Sequence, residues 1–456
     1  MNELISMRRI LFLFGWLLAV GCGAAENATP VDAAKEEEAV PAEIRVLREL
    51  AYPLSDPADL DPLLDRIENT RLVLLGEASH GTSEFYAWRA EISKRLIEEK
   101  GFNFIAVEGD WASLYRLNRY VKWMDDEAGS AHEIMRTFDR WPPWMWANEE
   151  TAELIEWMRA FNEDRPFEER VGFYGMDVYG EDLAKRQVLE RLQEVDADLA
   201  EEIEALYACF DRYDGNMHDY ARAVAFGADS CAQAVMRAHQ KLQEAAAELS
   251  GRKYYEFFAI QHNAKVVKNA ERHFRLMATE GPQSWNARVD HFFATVDLLM
   301  DLYGDGARGV AWAHNTHIGD ARATAMGNQG QRNIGQIARE RMGADDVVAV
   351  GFGTHRGTVQ AGRAWGGDME TMRVPPGRAD SVEDLMHQLG KEQVLFIFDD
   401  RVDLSPWMTV RGHRAIGVIY HPEREHMGNY VPTILARRYD AFIFIDETRA
   451  LQPVDR

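Results

Sequence analysis

The stretch from Arg71 to Trp111 constrains the fold more than any other part of the sequence, because it predicts strand, turn, helix and strand in succession. Leu72–Leu75 and Phe104–Val107 are short apolar runs. Between them, apolar residues recur at helical spacing as far as Gly101, where a glycine readily ends a helix. Two strands joined by one helix run parallel, and we expect these two to be neighbours in one sheet.

The rest of the chain adds strands to this unit. Further strands are predicted at Val171–Tyr174, Gly309–Ala313, Val347–Phe352, Val394–Phe398, Ile416–Tyr420 and Ala441–Ile445. Residues 181–302 contain only long amphipathic patterns, which are typical of helices. The sequence therefore predicts an α/β fold: a mostly parallel sheet flanked by helices, with a helical insertion over about residues 181–302 that covers the sheet edge.

Acidic residues and histidines follow the ends of several predicted strands. These residues are Glu77, His80, Glu108, Asp177, His314 and His317. Because the carboxyl ends of parallel strands share one edge of the sheet, we expect these side chains to lie close together. A carboxylate beside an imidazole keeps it basic and oriented, which suits general acid–base catalysis. A purely structural role is the alternative for each of these residues taken alone.

The sequence motifs of several other enzyme classes are missing. Ser79 lies between an alanine and a histidine and lacks the GxSxG context of a nucleophilic serine. No phosphate-binding GxxxxGK[ST] motif and no dinucleotide-binding GxGxxG motif follows a predicted strand. Hydrolysis by water that a histidine activates is therefore favoured over a serine acyl-enzyme. Arg89, about two and a half helical turns beyond His80, is a candidate partner for a site carboxylate, and a surface ion pair is the alternative.

A divalent metal is a further alternative at the same residues. Glu77 and His80 stand three positions apart, as do His314 and His317, and Glu108 adds a fifth nitrogen or oxygen donor. The full HExxH spacing on one helix is missing, so the pattern is unspecific. A metal-dependent hydrolase that uses these residues stays open at this point.

The segment from Asp139 to Trp146 is rich in tryptophan. Aromatic clusters line many organic-ligand pockets, although they pack into cores more often. We assign five residues to substrate binding: Trp141, Trp144, Trp146, Asp177 and His317. A non-catalytic envelope lipoprotein that binds a polysaccharide or a hydrophobic ligand through the tryptophans is the alternative from another functional class.

The N-terminus predicts export. Two arginines precede the apolar run Ile10–Val20, which is short for a membrane span. Ala19–Cys22 resembles a bacterial lipoprotein signal, in which Cys22 is lipidated and anchors the protein to the membrane; ordinary secretion is the alternative. We therefore predict a signal segment over residues 1–22, a flexible tether over 23–42, a folded domain over 43–456, and a location in the cell envelope.

The net charge limits the kinds of partner that the protein can bind, and the cysteines indicate whether it contains a disulfide. The formal net charge is −24, which argues against a nucleic-acid partner because phosphate binding needs a basic surface. Two cysteines remain beyond the signal, Cys209 and Cys231, and no zinc-type spacing of Cys and His is present. In an oxidising compartment this pair predicts one disulfide, with two buried free thiols as the alternative.

The block LGEASHGTSEFYAWRAEISKRLIEEKGFNFIAVEGDW, which begins at Leu75, resembles the signature of the erythromycin esterase family. The resemblance continues through RWPPWMWANEE, VGFYGMD, HNAKVVKNAERHFR, SWNARVDH, WAHNTHIGD and YHPEREHMGNYVPTILARRYDAFIFIDETRAL. It implies hydrolysis of a small-molecule ester or lactone, such as the macrolactone of a macrolide antibiotic, without a metal or another cofactor. It also implies that His80 is the general base that activates water, surrounded by four catalytic or orienting groups: Glu77, Arg89, Glu108 and His314.

Overall fold

A nine-stranded sheet forms the centre of the protein in the computed structural model, which describes residues 40–124, 129–247, 251–279 and 281–455. Its strands are β1 (Ala51–Pro53), β2 (Leu72–Leu75), β3 (Phe104–Asp110), β4 (Gly172–Asp177), β5 (Gly309–Trp312), β6 (Val347–Gly362), β7 (Met369–Val374), β8 (Gln393–Ile397) and β11 (Ala441–Thr448). A separate antiparallel pair consists of β9 (Arg411–Arg414) and β10 (Tyr430–Thr433).

The sheet is mostly parallel. Its strand order is β1-β8-β11-β6-β2-β5-β3-β4, and β7 pairs with the far end of β6. The strands from β11 to β4 run parallel to their neighbours, whereas β1, β8 and β7 form antiparallel pairs. The predicted α/β class is therefore confirmed, and the parallel part brings the carboxyl ends of β2, β3, β4 and β5 to one edge.

The prediction that β2 and β3 are neighbours is wrong. β5 lies between them, and its Val310 is in register with Val73 on one side and Ile105 on the other. A crossover through one helix fixes the relative direction of two strands but leaves room for another strand between them. The residues that follow β5, beginning with His314, consequently lie in the middle of the candidate site.

The predicted strand Ile416–Tyr420 is also wrong, because this segment forms only isolated bridges, among them Ile416 with Ser79 and Ile419 with Gly362. Two of its side chains, Ile416 and Tyr420, are buried in a small second core with four residues of β6 and β7: Val359, Ala361, Met372 and Val374. The apolar pattern reflected this burial and not a place in the central sheet. The long extension of β6 and its hairpin with β7, together with β1, β9 and β10, were not predicted.

The helices that precede the insertion in the chain flank the sheet. They are α1 (Ala42–Leu50), α2 (Asp61–Ile67), α3 (Ser83–Lys100), α4 (Trp111–Val121), α5 (Ala131–Met135) and α6 (Glu149–Asn162). The apolar face of α3 is buried in the main core, as its spacing predicted, and Gly101 ends it in a left-handed conformation with a φ of 68°. Thr82 stands at the capping position at the start of α3, but its side chain makes no capping hydrogen bond, and its hydroxyl pairs with that of Ser79.

The helical insertion is present where the sequence predicted it, with no strand between β4 and β5 in the ranges that the structure describes. It consists of α7 (Glu181–Val195), α8 (Ala197–Tyr207), α9 (Met217–Ala225), α10 (Ala232–Ala246), α11 (Gly251–Met277) and α12 (Gln283–Tyr303). The remaining helices are short: α13 (Asn315–Ile318), α14 (Ala325–Asn328), α15 (Ile334–Met342), α16 (Val382–His387), α17 (Glu425–Gly428) and α18 (Leu435–Arg438).

The predicted disulfide is confirmed. Cys209 and Cys231 are bonded, with their Cα atoms 5.8 Å apart, and they join a short 3-10 helix to the start of α10. The predicted signal segment over residues 1–22, with Cys22, lies outside the described residues, as does the predicted tether up to residue 39. Among the helices that the structure describes, none is long and apolar enough to cross a membrane.

Candidate active site

The carboxyl edge of the sheet forms one wall of a cavity of about 480 Å³. The cavity is lined by six of the residues that the sequence singled out: His80, Glu108, Trp146, Asp177, His314 and His317. They lie at the ends of four strands and in the tryptophan-rich segment. Residues that are distant in sequence therefore lie together at one edge of the sheet. Glu77 and Arg89 lie behind this lining, and Trp141 and Trp144 lie outside it.

Glu77 is fully buried and connects His80 to Arg89. Its Oε1 lies 2.8 Å from Nδ1 of His80, and its Oε2 lies 2.6 Å from Nη2 of Arg89. The Arg89 guanidinium also lies between the rings of Tyr86 and Trp312, at 4.4 and 4.7 Å from their centroids. Because Nδ1 of His80 donates to the carboxylate, Nε2 is the ring nitrogen that remains to accept a proton.

The surroundings of His80 make it a stronger base than an ordinary imidazole. Burial alone lowers its pKa, but the hydrogen bond with Glu77 and the negative charges of Glu108 and Glu77 outweigh burial and raise the pKa above its usual value of 6.5. The carboxylate thus orients the ring and increases its affinity for a proton at the same time.

Glu108, at the end of β3, holds three groups of the site together. Its Oε2 accepts a hydrogen bond of 2.8 Å from the backbone N–H of His314. Its Oε1 lies 2.8 Å from Nη2 of Arg288 and 3.3 Å from Nε2 of His317. Burial raises the pKa of Glu108, but His317 and Arg288 lower it more strongly, so its pKa lies well below the usual range and the carboxylate is ionised.

Arg288, on α12 of the insertion, is a site residue that sequence analysis missed. Its Nε and Nη2 donate to the two carboxylate oxygens of Asp177 at 2.9 and 2.6 Å, and Nη2 also reaches Glu108. A signal for it existed, because two carboxylates at the ends of adjacent strands repel each other unless a cation lies between them. Which arginine supplies that cation depends on how the insertion packs on the sheet.

His314 differs from His80 in its partners. Its Nδ1 lies 2.8 Å from Oγ1 of Thr316 and accepts a hydrogen bond from the N–H of the same residue at 3.3 Å, so the ring proton resides on Nε2. Burial lowers the pKa of His314, and so does the charge of His80. The opposing effects of Glu108 and the Ala78 carbonyl are smaller, so the pKa lies well below its usual value and the ring is neutral.

The three predicted tryptophans have different surroundings. Trp146 lines the cavity, and its indole N–H donates to the carbonyl oxygen of Glu108 at 3.0 Å. Trp144 is buried in the main core and does not line the cavity. Trp141 contacts the ring of Trp365 at 4.7 Å between centroids, and Trp365 lines the cavity, so Trp141 supports the cavity wall from outside.

Other residues complete the cavity. His317 stacks on the ring of Trp285 with centroids 4.5 Å apart. The further polar and aromatic lining residues, which sequence analysis did not identify, are Asp110, Ser113, Phe138, Arg140, Tyr179, Trp285, Thr316 and Trp365. The cavity therefore combines aromatic walls with a polar floor at the strand ends, as in many sites for organic molecules.

The donor set proposed for a metal does not converge in the part of the chain that the structure describes. Glu77 and His80 bond each other, and Glu108 bonds Arg288 and His314. No group of three or more His, Cys, Asp or Glu side chains among the described residues is arranged to hold a metal ion.

The chain matches the family model described as erythromycin esterase over residues 97–448. Over 131 residues it is 30% identical to the erythromycin esterase type II of Escherichia coli, an alignment that covers 28% of this chain and 28% of that relative. The chain thus spans little more than a quarter of the length of this curated relative.

Two solved structures share the fold. One is a succinoglycan biosynthesis protein, with a TM-score of 0.72 and 20% identity, which covers 90% of this chain and 97% of the other. The second is a mutant of the erythromycin esterase EreC in its open conformation, with a TM-score of 0.64, 19% identity, and coverage of 88% of this chain and 97% of the other. At these identities the similarity concerns the fold.

Proposed function

Because the chain belongs to the erythromycin esterase family, we propose that it hydrolyses a carboxylic ester or a lactone with a water molecule that His80 activates. The observation that carries this proposal is the arrangement of His80, whose Nδ1 is held by Glu77 at 2.8 Å while the ring lines the cavity. A base oriented by a buried carboxylate and adjacent to an organic-ligand cavity is what water activation requires.

In the proposed reaction, Nε2 of His80 takes a proton from water as the water oxygen bonds to the carbonyl carbon. Glu77 stabilises the imidazolium that forms, and Arg89 holds Glu77 in place. His314 carries its proton on Nε2 and polarises the carbonyl oxygen, where negative charge develops. Collapse of the tetrahedral intermediate breaks the bond to the alkoxide, which receives the proton from His80, and Glu108 with Arg288 keeps His314 in position.

The substrate is an ester or lactone large enough to use the aromatic walls. Trp146, Asp177 and His317 lie where a bound molecule would contact them or the groups that hold them, and Trp141 supports the wall. A macrolide macrolactone is one candidate of this class.

We also propose that the protein is exported and anchored to the membrane through Cys22. This proposal rests on the N-terminal sequence. A Cys22→Ser variant that stays in the membrane fraction would argue against it.

The experiment is a screen of macrolides, simple lactones and acyl esters, with mass spectrometry to detect the addition of water. We expect the His80→Ala variant to lose activity by roughly a hundredfold to ten-thousandfold, the range typical of a general base, with little change in melting temperature. Full activity of this variant would contradict the mechanism.

Two controls accompany this screen. His239→Ala removes another buried histidine, on α10 of the insertion and outside the cavity lining, and should retain turnover. Activity after exhaustive chelation distinguishes this mechanism from a metal-dependent hydrolase. If no compound is hydrolysed but a polysaccharide binds and Trp146→Ala abolishes that binding, the non-catalytic alternative is supported instead.

A further inference from the structure

Asn315 connects the strands beneath the candidate active site. It follows His314 directly and is fully buried. Its backbone N–H donates to the carbonyl oxygen of Glu77 at 2.9 Å, and its carbonyl oxygen accepts from Nη2 of Arg438 at 2.7 Å. Its side-chain amide bonds both backbone groups of Phe352 on β6, at 2.7 and 3.3 Å. Asn315 therefore fixes the end of β2 relative to the end of β5.

Gly76 permits this close approach. A Cβ atom at this position would overlap Oδ1 of Asn315 and would also lie 3.1 Å from the carbonyl oxygen of Val350. A glycine before Glu77 is needed because Asn315 occupies the space of a side chain, not because of an unusual backbone angle. The signature stretch is thus shaped to receive a residue from the far end of β5.

The side-chain amide of Asn315 has a further partner, His413, which does not line the cavity. Its Nδ2 lies 3.1 Å from Nε2 of His413 on β9, and Nδ1 of His413 lies 2.6 Å from Oε1 of Glu383 on α16. His413 is 1% exposed and Glu383 is 0% exposed, and neither lines the cavity.

The hydrogen bonds determine the protonation of His413. An amide nitrogen only donates, so Nε2 of His413 accepts, and Nδ1 carries the proton that the Glu383 carboxylate accepts. A second proton on His413 would place two N–H groups against each other and expel the Asn315 amide. Burial keeps the pKa of His413 below its usual value despite the opposing effect of Glu383, in agreement with a neutral ring.

We propose that Glu383 and His413 are positioning residues for the hydrolysis, and that they act by holding Asn315 between Glu77 and His314. The inference rests on the proposed function, in which Glu77 orients the base and His314 polarises the carbonyl. Neither positioning residue contacts the substrate. Their effect reaches the reaction through one amide side chain and the backbone on either side of it.

The test compares two substitutions at one position. His413→Leu removes both the acceptor for Asn315 and the donor to Glu383, whereas His413→Gln keeps an acceptor oxygen and a donor N–H. Since displacement of catalytic groups by about 1 Å costs up to a hundredfold in rate, we expect His413→Leu to lower kcat by roughly tenfold to a hundredfold with little change in KM. We expect His413→Gln to restore most of kcat.

The pH profile separates positioning from a general loss of structure. A looser Glu77 bonds His80 less well, so the acid limb of kcat/KM in His413→Leu should move to lower pH. As a control, His239→Leu removes a buried histidine from the insertion and should leave kcat and the acid limb unchanged. Unchanged kcat and pH profile in a folded His413→Leu variant would overturn the inference.

Two further measurements keep the inference testable if a variant or the substrate fails. Where His413→Leu does not fold, the nearly isosteric Glu383→Gln should show a smaller change in the same direction, and an unchanged profile would overturn the inference. The pKa of His80 can be followed by NMR, with its signal assigned by its absence in His80→Ala. This titration needs no substrate, so a lower pKa in His413→Leu supports the positioning inference even if no ester is hydrolysed, and an unchanged pKa contradicts it.

Discussion

His80 and His314 are two histidines of one cavity wall with opposite acid–base behaviour. Their ring centroids are 5.0 Å apart, and both side chains are buried. The pKa of His80 is raised and that of His314 is lowered. Environments that push the pKa values of neighbouring groups apart suit the groups to separate roles, which in the proposed mechanism are a base and a neutral hydrogen-bond donor.

The two rings differ because the neighbouring carboxylates form hydrogen bonds with different atoms of the two histidines. Glu77 bonds the ring of His80, so its charge favours the imidazolium. Glu108 bonds the backbone N–H of His314 instead, while the ring of His314 bonds Thr316. Position at a strand end is therefore not enough to predict the role of a histidine. The role depends on which atom of the histidine forms a hydrogen bond with the carboxylate.

The largest effect is expected from a substitution that weakens the hydrogen bond between Glu77 and His80. Glu77→Gln keeps the shape of the side chain but removes the charge, so we expect kcat/KM to fall by roughly a hundredfold to ten-thousandfold. The change also leaves the buried Arg89 without its ion-pair partner, which costs about 3 to 5 kcal/mol of unfolding free energy. Steady-state kinetics measure the first effect and urea unfolding measures the second. A wild-type kcat/KM would show that Glu77 does not control His80, and a wild-type unfolding free energy would show that the ion pair with Arg89 does not stabilise the fold.

A second change tests the His314 side. His314→Leu removes the Nε2–H donor, and we expect kcat to fall by roughly a hundredfold to a thousandfold, the cost typical of losing one oxyanion donor. The acid limb of the pH profile should stay where it is, since the raised pKa of His80 comes from Glu77 and Glu108. A marked shift of that limb would mean that the two histidines share one role.

The smallest effect is the pH dependence of the wild-type protein. His80 acts as a base only when unprotonated, so activity is complete above its pKa and falls as the pH drops through it. Because that pKa is raised above 6.5, the loss begins at higher pH than for an ordinary imidazole. His314 stays neutral over the same range and adds no second limb. A kcat/KM profile from pH 5 to 9 that is flat, or that falls with a slope of two protons, would contradict this assignment.

Much of the fold and the site could be predicted because parallel strands share an edge. Glu77, Glu108, Asp177 and His314 each follow an apolar run, and this position alone places them together. The hydrogen bond between Glu77 and His80 could also be predicted, since the two residues stand three positions apart in one turn after β2. Local spacing and sheet geometry were sufficient for these residues.

Other features depend on packing between distant segments. The position of β5 between β2 and β3 is a property of the assembled sheet, and no local pattern encodes it. Arg288 belongs to an amphipathic helix whose face is selected only when the insertion meets the sheet. Trp144 and Trp146 stand two residues apart with similar local sequence, and both are buried in the main core, yet of the two only Trp146 also lines the cavity.

The placement of β5 has a consequence for how the protein is made. β2 pairs with β5 and β6, which are synthesised only after the whole helical insertion. Until then, the fully apolar Leu72–Leu75 has neither sheet neighbour, and long-range pairing of this kind is slow and exposed to aggregation. The residues that surround the imidazole of His80 therefore come together late, after most of the chain has been synthesised.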